Sequence, residues 1–167
     1  MFRSALAALF ALLLTSCSKD APPTLAQIEP AADVASLTLN FHALAGLNPG
    51  ASGQPAPVRV RVFELKNTAN FTRADYFALA DRAQPTLGPD LIDQDEVLVQ
   101  PGQRLSIDRS LAPATRHVGL VVGYREIDQA QWRAVVDVAP GQHRGYLISL
   151  DARAIRTDVS TPTRPAQ

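Results

Sequence analysis

The chain has 167 residues, with 16 Lys and Arg balanced by 16 Asp and Glu, for a formal net charge of +0. Such a balance lacks the basic footprint of a nucleic-acid-binding protein. The chain holds 1 Cys, at position 17, so no disulfide can form within it.

Arg3 precedes an apolar run from Ala5 to Leu14. The run is too short for a membrane span, which needs about 20 apolar residues, but it suits the central part of a signal peptide. It closes in Leu14-Thr15-Ser16-Cys17: a branched apolar residue, two small residues and a cysteine. Bacterial lipoproteins are cut and acylated at this pattern. Residues 1–16 are therefore predicted to be a lipoprotein signal peptide, and Cys17 the lipidated residue. Buried acyl carbons contribute about 0.8 kcal/mol per CH₂, and two or more chains anchor stably. In some bacteria an Asp after the cysteine favours inner-membrane retention; Ser18 points to the periplasmic face of the outer membrane. Residues 17–34 are rich in Ala, Pro and polar residues and read as a flexible tether, reaching on the order of 50 Å when extended.

From Ser36 the pattern has period two. Leu37, Leu39 and Phe41 alternate with Thr38, Asn40 and His42, as in a strand with one buried face. Leu44 to Ala56 is rich in Gly and Pro and is expected to be a long loop. Val58, Val60 and Val62 alternate with Arg59 and Arg61, and the strand runs on to Leu65. Thr72 and Asp75 have capping-box spacing, and Phe71 and Tyr76 the spacing of a hydrophobic staple. One helix is expected there, ending before Pro85.

Strands are expected to resume near Glu96, with Asp93 and Asp95 in a solvated loop ahead. Pro101-Gly102 suits the centre of a type II turn, and Leu105 and Ile107 alternate beyond it. Val118, Leu120, Val122 and Tyr124 share one face of the most apolar stretch. Gly119, Val121 and Gly123 share the other, so this is a central strand with close backbone approach at its glycines. Trp132, Ala134, Val136 and Val138 alternate next, Pro140-Gly141 turns the chain, and Tyr146, Ile148 and Leu150 follow. Ile155 marks a last short strand. The fold class is mainly β: a sandwich of about eight strands with one short added helix, over residues 35–160. Residues 161–167 are expected to be a disordered tail.

No nucleophile-elbow, P-loop, dinucleotide-binding or zinc-protease motif occurs. His42, His117 and His143 are scattered and read as surface histidines. Arg59 and Arg61 read either as contacts for an acidic partner or as protection of a sheet edge. Trp132 reads as core. Nothing assembles a nucleophile, a base and an oxyanion site. The expectation is a non-enzymatic protein with no cofactor, no metal, no small-molecule substrate and no nucleic acid.

Several stretches, in order, resemble the TssJ family, the outer-membrane lipoproteins of bacterial type VI secretion systems. They are Leu47-Asn48-Pro49, the strand Pro57 to Leu65, Phe71 with Asp75 to Leu79, Pro101-Gly102, and Gly123 to Asp128 leading to Gln131-Trp132-Arg133. The resemblance covers roughly residues 36 to 150. It implies a transthyretin-like β-sandwich with added helical elements. It also implies a role: anchoring the secretion envelope complex by binding the periplasmic C-terminal part of the inner-membrane protein TssM. In the family the loop between strands one and two contributes to that contact. Carried onto this chain, the partner-binding candidates are Leu44, Leu47, Asn48, Pro49, Gly50, Ser52, Gly53 and Gln54. Asn48 and Pro49 match the family pattern, and the others follow from topology. Leu44 and Leu47 are either contacts or the closure of the sandwich end. The alternative function is a periplasmic ligand- or glycan-binding lipoprotein on the same scaffold.

Overall fold

Alternation of apolar residues sets the first strand, and its partners set the rest. The computed structural model describes residues 34–160. The signal peptide, Cys17, the tether up to residue 33 and the tail 161–167 lie outside the described residues. Strand β1 (Ser36–Ala43) buries Leu37, Leu39, Phe41 and Ala43. Strand β2 (Val58–Leu65) turns Val58, Val60 and Val62 into the same core.

The expected single helix is three short ones: α1 (Ala69–Arg73), α2 (Tyr76–Asp81) and α3 (Ala83–Leu87). Asp75 is the N-cap of α2 rather than the third residue of a capping box: its carboxylate accepts from the Ala78 N–H at 2.8 Å. Thr72 lies inside α1, its hydroxyl donating to Ala69 O. Ala74 is extended, with ψ 147°, and separates the two helices. Pro85 does not end the helical segment. It is the third residue of α3, where the backbone N–H has no intrahelical acceptor to lose.

The remaining strands are β3 (Leu91–Val99), β4 (Arg104–Ser110), β5 (His117–Val122), β6 (Arg133–Asp137), β7 (His143–Leu150) and β8 (Ile155–Val159). They form two four-stranded sheets, ordered β4-β1-β7-β8 and β3-β2-β5-β6. The eight strands fulfil the expected mainly-β sandwich. β1 and β7 pair in parallel; every other strand pair is antiparallel. Pro101-Gly102 turns as expected, with Gln103 N–H donating to Gln100 O at 3.1 Å and Gly102 at φ 74°. The turn carries the chain from one sheet to the other, and Pro140-Gly141 does the same between β6 and β7.

Two expectations about charge are corrected. Asp93, Asp95 and Glu96 lie on β3, which begins at Leu91, not in a loop before it. Their outward charges hid the first half of the strand because its apolar alternation is weak there. Arg59 and Arg61 do not guard an edge, since β2 lies between β3 and β5. They lie 3.6 and 3.8 Å from Glu96 on the neighbouring strand.

The inner faces of the two sheets form one core. A second, smaller core covers the outer face of β2 and β5, where Phe63, Leu65 and Val121 meet Phe71, Leu79, Ala83 and Leu87 of the helices. Gly119 makes this possible: a Cβ there would fall 2.6 Å from the Phe71 ring. The open side between β3 and β4 is closed by charge. Arg109 on β4 meets Asp95 at 2.8 Å and Asp93 and Glu64 at 3.6 Å. Glu64 is buried and also accepts from Thr115 Oγ1 and Ala112 N–H.

Candidate functional site

The end of β1 leads into the 44–57 loop, and three other connections gather around it. Ala43 lies opposite Leu150, the end of β7, and His42 opposite Arg104, the start of β4. Gly102 N–H donates to Leu44 O at 3.1 Å. The residues after β5 and those between β7 and β8 complete this pole. The described chain enters at the other pole, where Ser36 N–H donates to Gln142 O. The 8 residues of β1 separate the two poles by roughly 25 Å at about 3.3 Å per residue.

The loop is held from within. Leu47 N–H donates to Leu44 O, Ala56 N–H to Leu47 O, Gly50 N–H to Gln54 O and Gly53 N–H to Gly50 O. Asn48 fixes it to its surroundings. Its Nδ2 donates to Pro57 O at 2.9 Å, its Oδ1 accepts from Arg125 N–H at 2.8 Å, and its own N–H donates to Ala152 O at 3.1 Å. Asn48 has φ 50°, the left-handed region that Asn tolerates better than most residues. One buried side chain thus joins the loop to the start of β2, the β5–β6 connection and the β7–β8 turn.

The eight candidate residues divide accordingly. Leu47 is fully buried and Asn48 is 3% exposed. Both shape the loop rather than form its surface, and Leu47 closes the end of the sandwich. Leu44 is 54% exposed, and Ser52, Gly53 and Gln54 are exposed at the tip. Pro49 and Gly50 are half-buried.

Sequence reasoning gave no role to the neighbours that complete the surface. Arg125 is exposed, and its guanidinium lies against Gly50: a Cβ on Gly50 would meet Arg125 Nη1 at 2.7 Å. Arg153 pairs with Glu126 at 2.6 Å and Arg156 with Asp151 at 3.4 Å. The signal was the Tyr124-Arg125-Glu126 run directly after a strand, which local pattern could not connect to a loop so distant in sequence. Beneath it, burial pushes the Tyr124 hydroxyl pKa up, and the nearby Asp151 charge adds to the rise.

Other candidates lie elsewhere. Trp132 is half-buried, edge-on to Tyr76 at 5.6 Å with the Arg133 guanidinium 4.7 Å from its ring centre. His117 pairs with Asp137 at 2.9 Å, His143 contacts Ser36 at 2.9 Å, and His42 is exposed on β1. Among the described residues no three His, Cys, Asp or Glu side chains gather as a metal site. No helix among them is long and apolar enough to cross a membrane.

Residues 35–153 match the family described as type VI secretion lipoprotein, VasD, EvfM, TssJ. The T6SS lipoprotein TssJ1 from Pseudomonas aeruginosa is similar at 45% identity and a TM-score of 0.76, over 78% of this chain and 99% of that one. Serratia marcescens Lip, a membrane-bound component of the type VI secretion system, is 27% identical with a TM-score of 0.69, over 74% and 97%. A chain in the structure of the T6SS protein TssM C-terminal domain from EAEC is 30% identical with a TM-score of 0.63, over 75% and 98%. No curated protein matches the sequence.

Proposed function

This chain belongs to the TssJ family of type VI secretion lipoproteins, and from that premise we propose a structural, non-enzymatic role. It is lipidated on Cys17, sits on the periplasmic face of the outer membrane, and anchors the secretion envelope complex by binding the periplasmic C-terminal region of TssM. The similarity to a chain in a TssM C-terminal domain structure supports this partner. The observation that carries the reading is polarity. The described chain enters at one end of the sandwich and the 44–57 loop projects from the other. A lipid on Cys17 and a tether over residues 17–34 then attach at the pole opposite the loop and leave the loop pole free for a partner. The rigid sheets position the loops, as in other scaffolds that bind through loops.

The test has two parts. Cys17→Ser should move the protein from the outer-membrane fraction to the soluble periplasm. Deleting Ala51–Gln54 should weaken capture of the TssM periplasmic region while leaving the melting temperature nearly unchanged, because the deleted residues are exposed and Leu47 and Asn48 remain. Retention of the Cys17→Ser protein in the outer membrane would overturn the anchor. Failure of the wild-type protein to bind TssM would overturn the role.

A further inference from the structure

We propose that Arg125 is the charged anchor of the partner-binding surface and receives a carboxylate of the partner protein; this rests on the TssM-binding reading. Three observations converge on it. Its backbone is pinned, because Arg125 N–H donates to the buried Asn48 Oδ1 at 2.8 Å. Its side chain is directed onto the loop, because Gly50 leaves the space that Nη1 occupies. Its charge is unspent: among the described residues no carboxylate lies within ion-pair distance of Arg125, whereas Arg153 and Arg156 on the same pole are paired with Glu126 and Asp151; Arg104 at the start of β4 is unpaired too, but no side-chain hydrogen bond ties its backbone to the loop. A planar guanidinium held at the rim of a loop surface presents its donors as a fork that fits a carboxylate in two hydrogen bonds. Arginine is enriched among the residues that dominate binding energy. The occupant is therefore an acidic side chain of the protein partner, set against the exposed tip Ser52 to Gln54.

The surroundings predict a separation that a purely structural role lacks. A Cβ at Gly50 collides only with the far end of a flexible side chain, so Gly50→Ala should displace the guanidinium without disturbing the fold.

Full-length lipoprotein in detergent is titrated with the TssM periplasmic region at several salt concentrations, and each variant is melted. Arg125→Ala should weaken binding at least about tenfold and flatten the dependence of affinity on salt. Gly50→Ala should weaken binding severalfold with an unchanged melting temperature. If Arg125→Ala binds within twofold of wild type, or weakens binding with the same salt dependence, the anchor is overturned while TssM binding stands. If wild type does not bind, the underlying reading fails with it.

Discussion

Arg125 donates its backbone N–H to the side-chain oxygen of Asn48, 77 positions away in sequence, at 2.8 Å. The loop pole therefore has a shared origin: one amide side chain fixes the height of two connections at once. A loop carrying only its own hydrogen bonds would be free to move relative to the strand ends around it. This one is registered to β2, to the β5–β6 connection and to the β7–β8 turn.

Asn48 contributes both a conformation and two hydrogen bonds, and two substitutions separate them. Asn48→Gly keeps the left-handed backbone but leaves Pro57 O and Arg125 N–H unpaired, costing about 1–3 kcal/mol. Asn48→Ala adds the strain of a Cβ at φ 50°, a further cost of roughly 1 kcal/mol. Chemical denaturation should rank wild type above Gly and Gly above Ala. Equal stability of all three would remove Asn48 from this role.

Gly119 leaves room for the Phe71 ring of the helical segment to lie directly on the sheet. Gly119→Ala forces a methyl group into the Phe71 ring at 2.6 Å, and overpacking of this kind costs about 1–3 kcal/mol. Combining it with Phe71→Leu should cost less than the two single changes added together, as measured in a double-mutant cycle.

The clamp between β3 and β4 makes stability depend on acid. The hydrogen bond from Arg109 holds the Asp95 carboxyl below its ordinary pKa, and the Glu96 backbone N–H lowers it further. A depressed native value means that the unfolded chain takes up the proton first as pH falls. The stabilisation is complete above about pH 4, near the unfolded value, and is lost as pH drops through the lower folded value. Asp95→Asn should flatten the stability profile in this acid range. At neutral pH both changes should lower stability, and Arg109→Ala should cost more, because it also strips the buried Glu64 of its cation, at a cost of about 3 kcal/mol.

At the alkaline end Tyr124 governs. Burial keeps its hydroxyl protonated to a higher pH than an ordinary phenol, with Asp151 reinforcing the effect. Above about pH 10 the unfolded chain ionises this group and the folded chain does not, so the stabilisation present below that pH declines above it. The hydroxyl has no hydrogen-bond partner among the described residues. Tyr124→Phe should therefore hold or raise the stability at neutral pH, by up to about 1 kcal/mol, and reduce the alkaline loss. Thermal melts across pH 8 to about 11 read both effects.

Alternation of apolar and polar residues was enough to place β1, β2 and β7, because a half-buried strand must repeat every second residue, and a run lacking polar residues on both faces placed β5. Pro and Gly placed the turns by their own backbone limits. Where one residue's environment came from a distant segment, local pattern failed. Glu64 is buried because Arg109 and Thr115 come to it, and the first half of β3 reads as a loop because its outward charges meet arginines on other strands. The assignment of strands to sheets, the parallel pairing of β1 with β7 and the split helix likewise arose from packing.

The loop itself was legible as a Gly- and Pro-rich stretch, and its family pattern marked Asn48 and Pro49. The sequence alone, through period, turn chemistry and motif order, determined the class of the fold and the position of the loop along the chain. Only the tertiary structure decided which loop residues face solvent, that Leu47 is core, and that Arg125 belongs to the same surface. The reason is physical. Period and propensity act between neighbours in sequence, whereas burial and a shared surface exist only after distant strands have met.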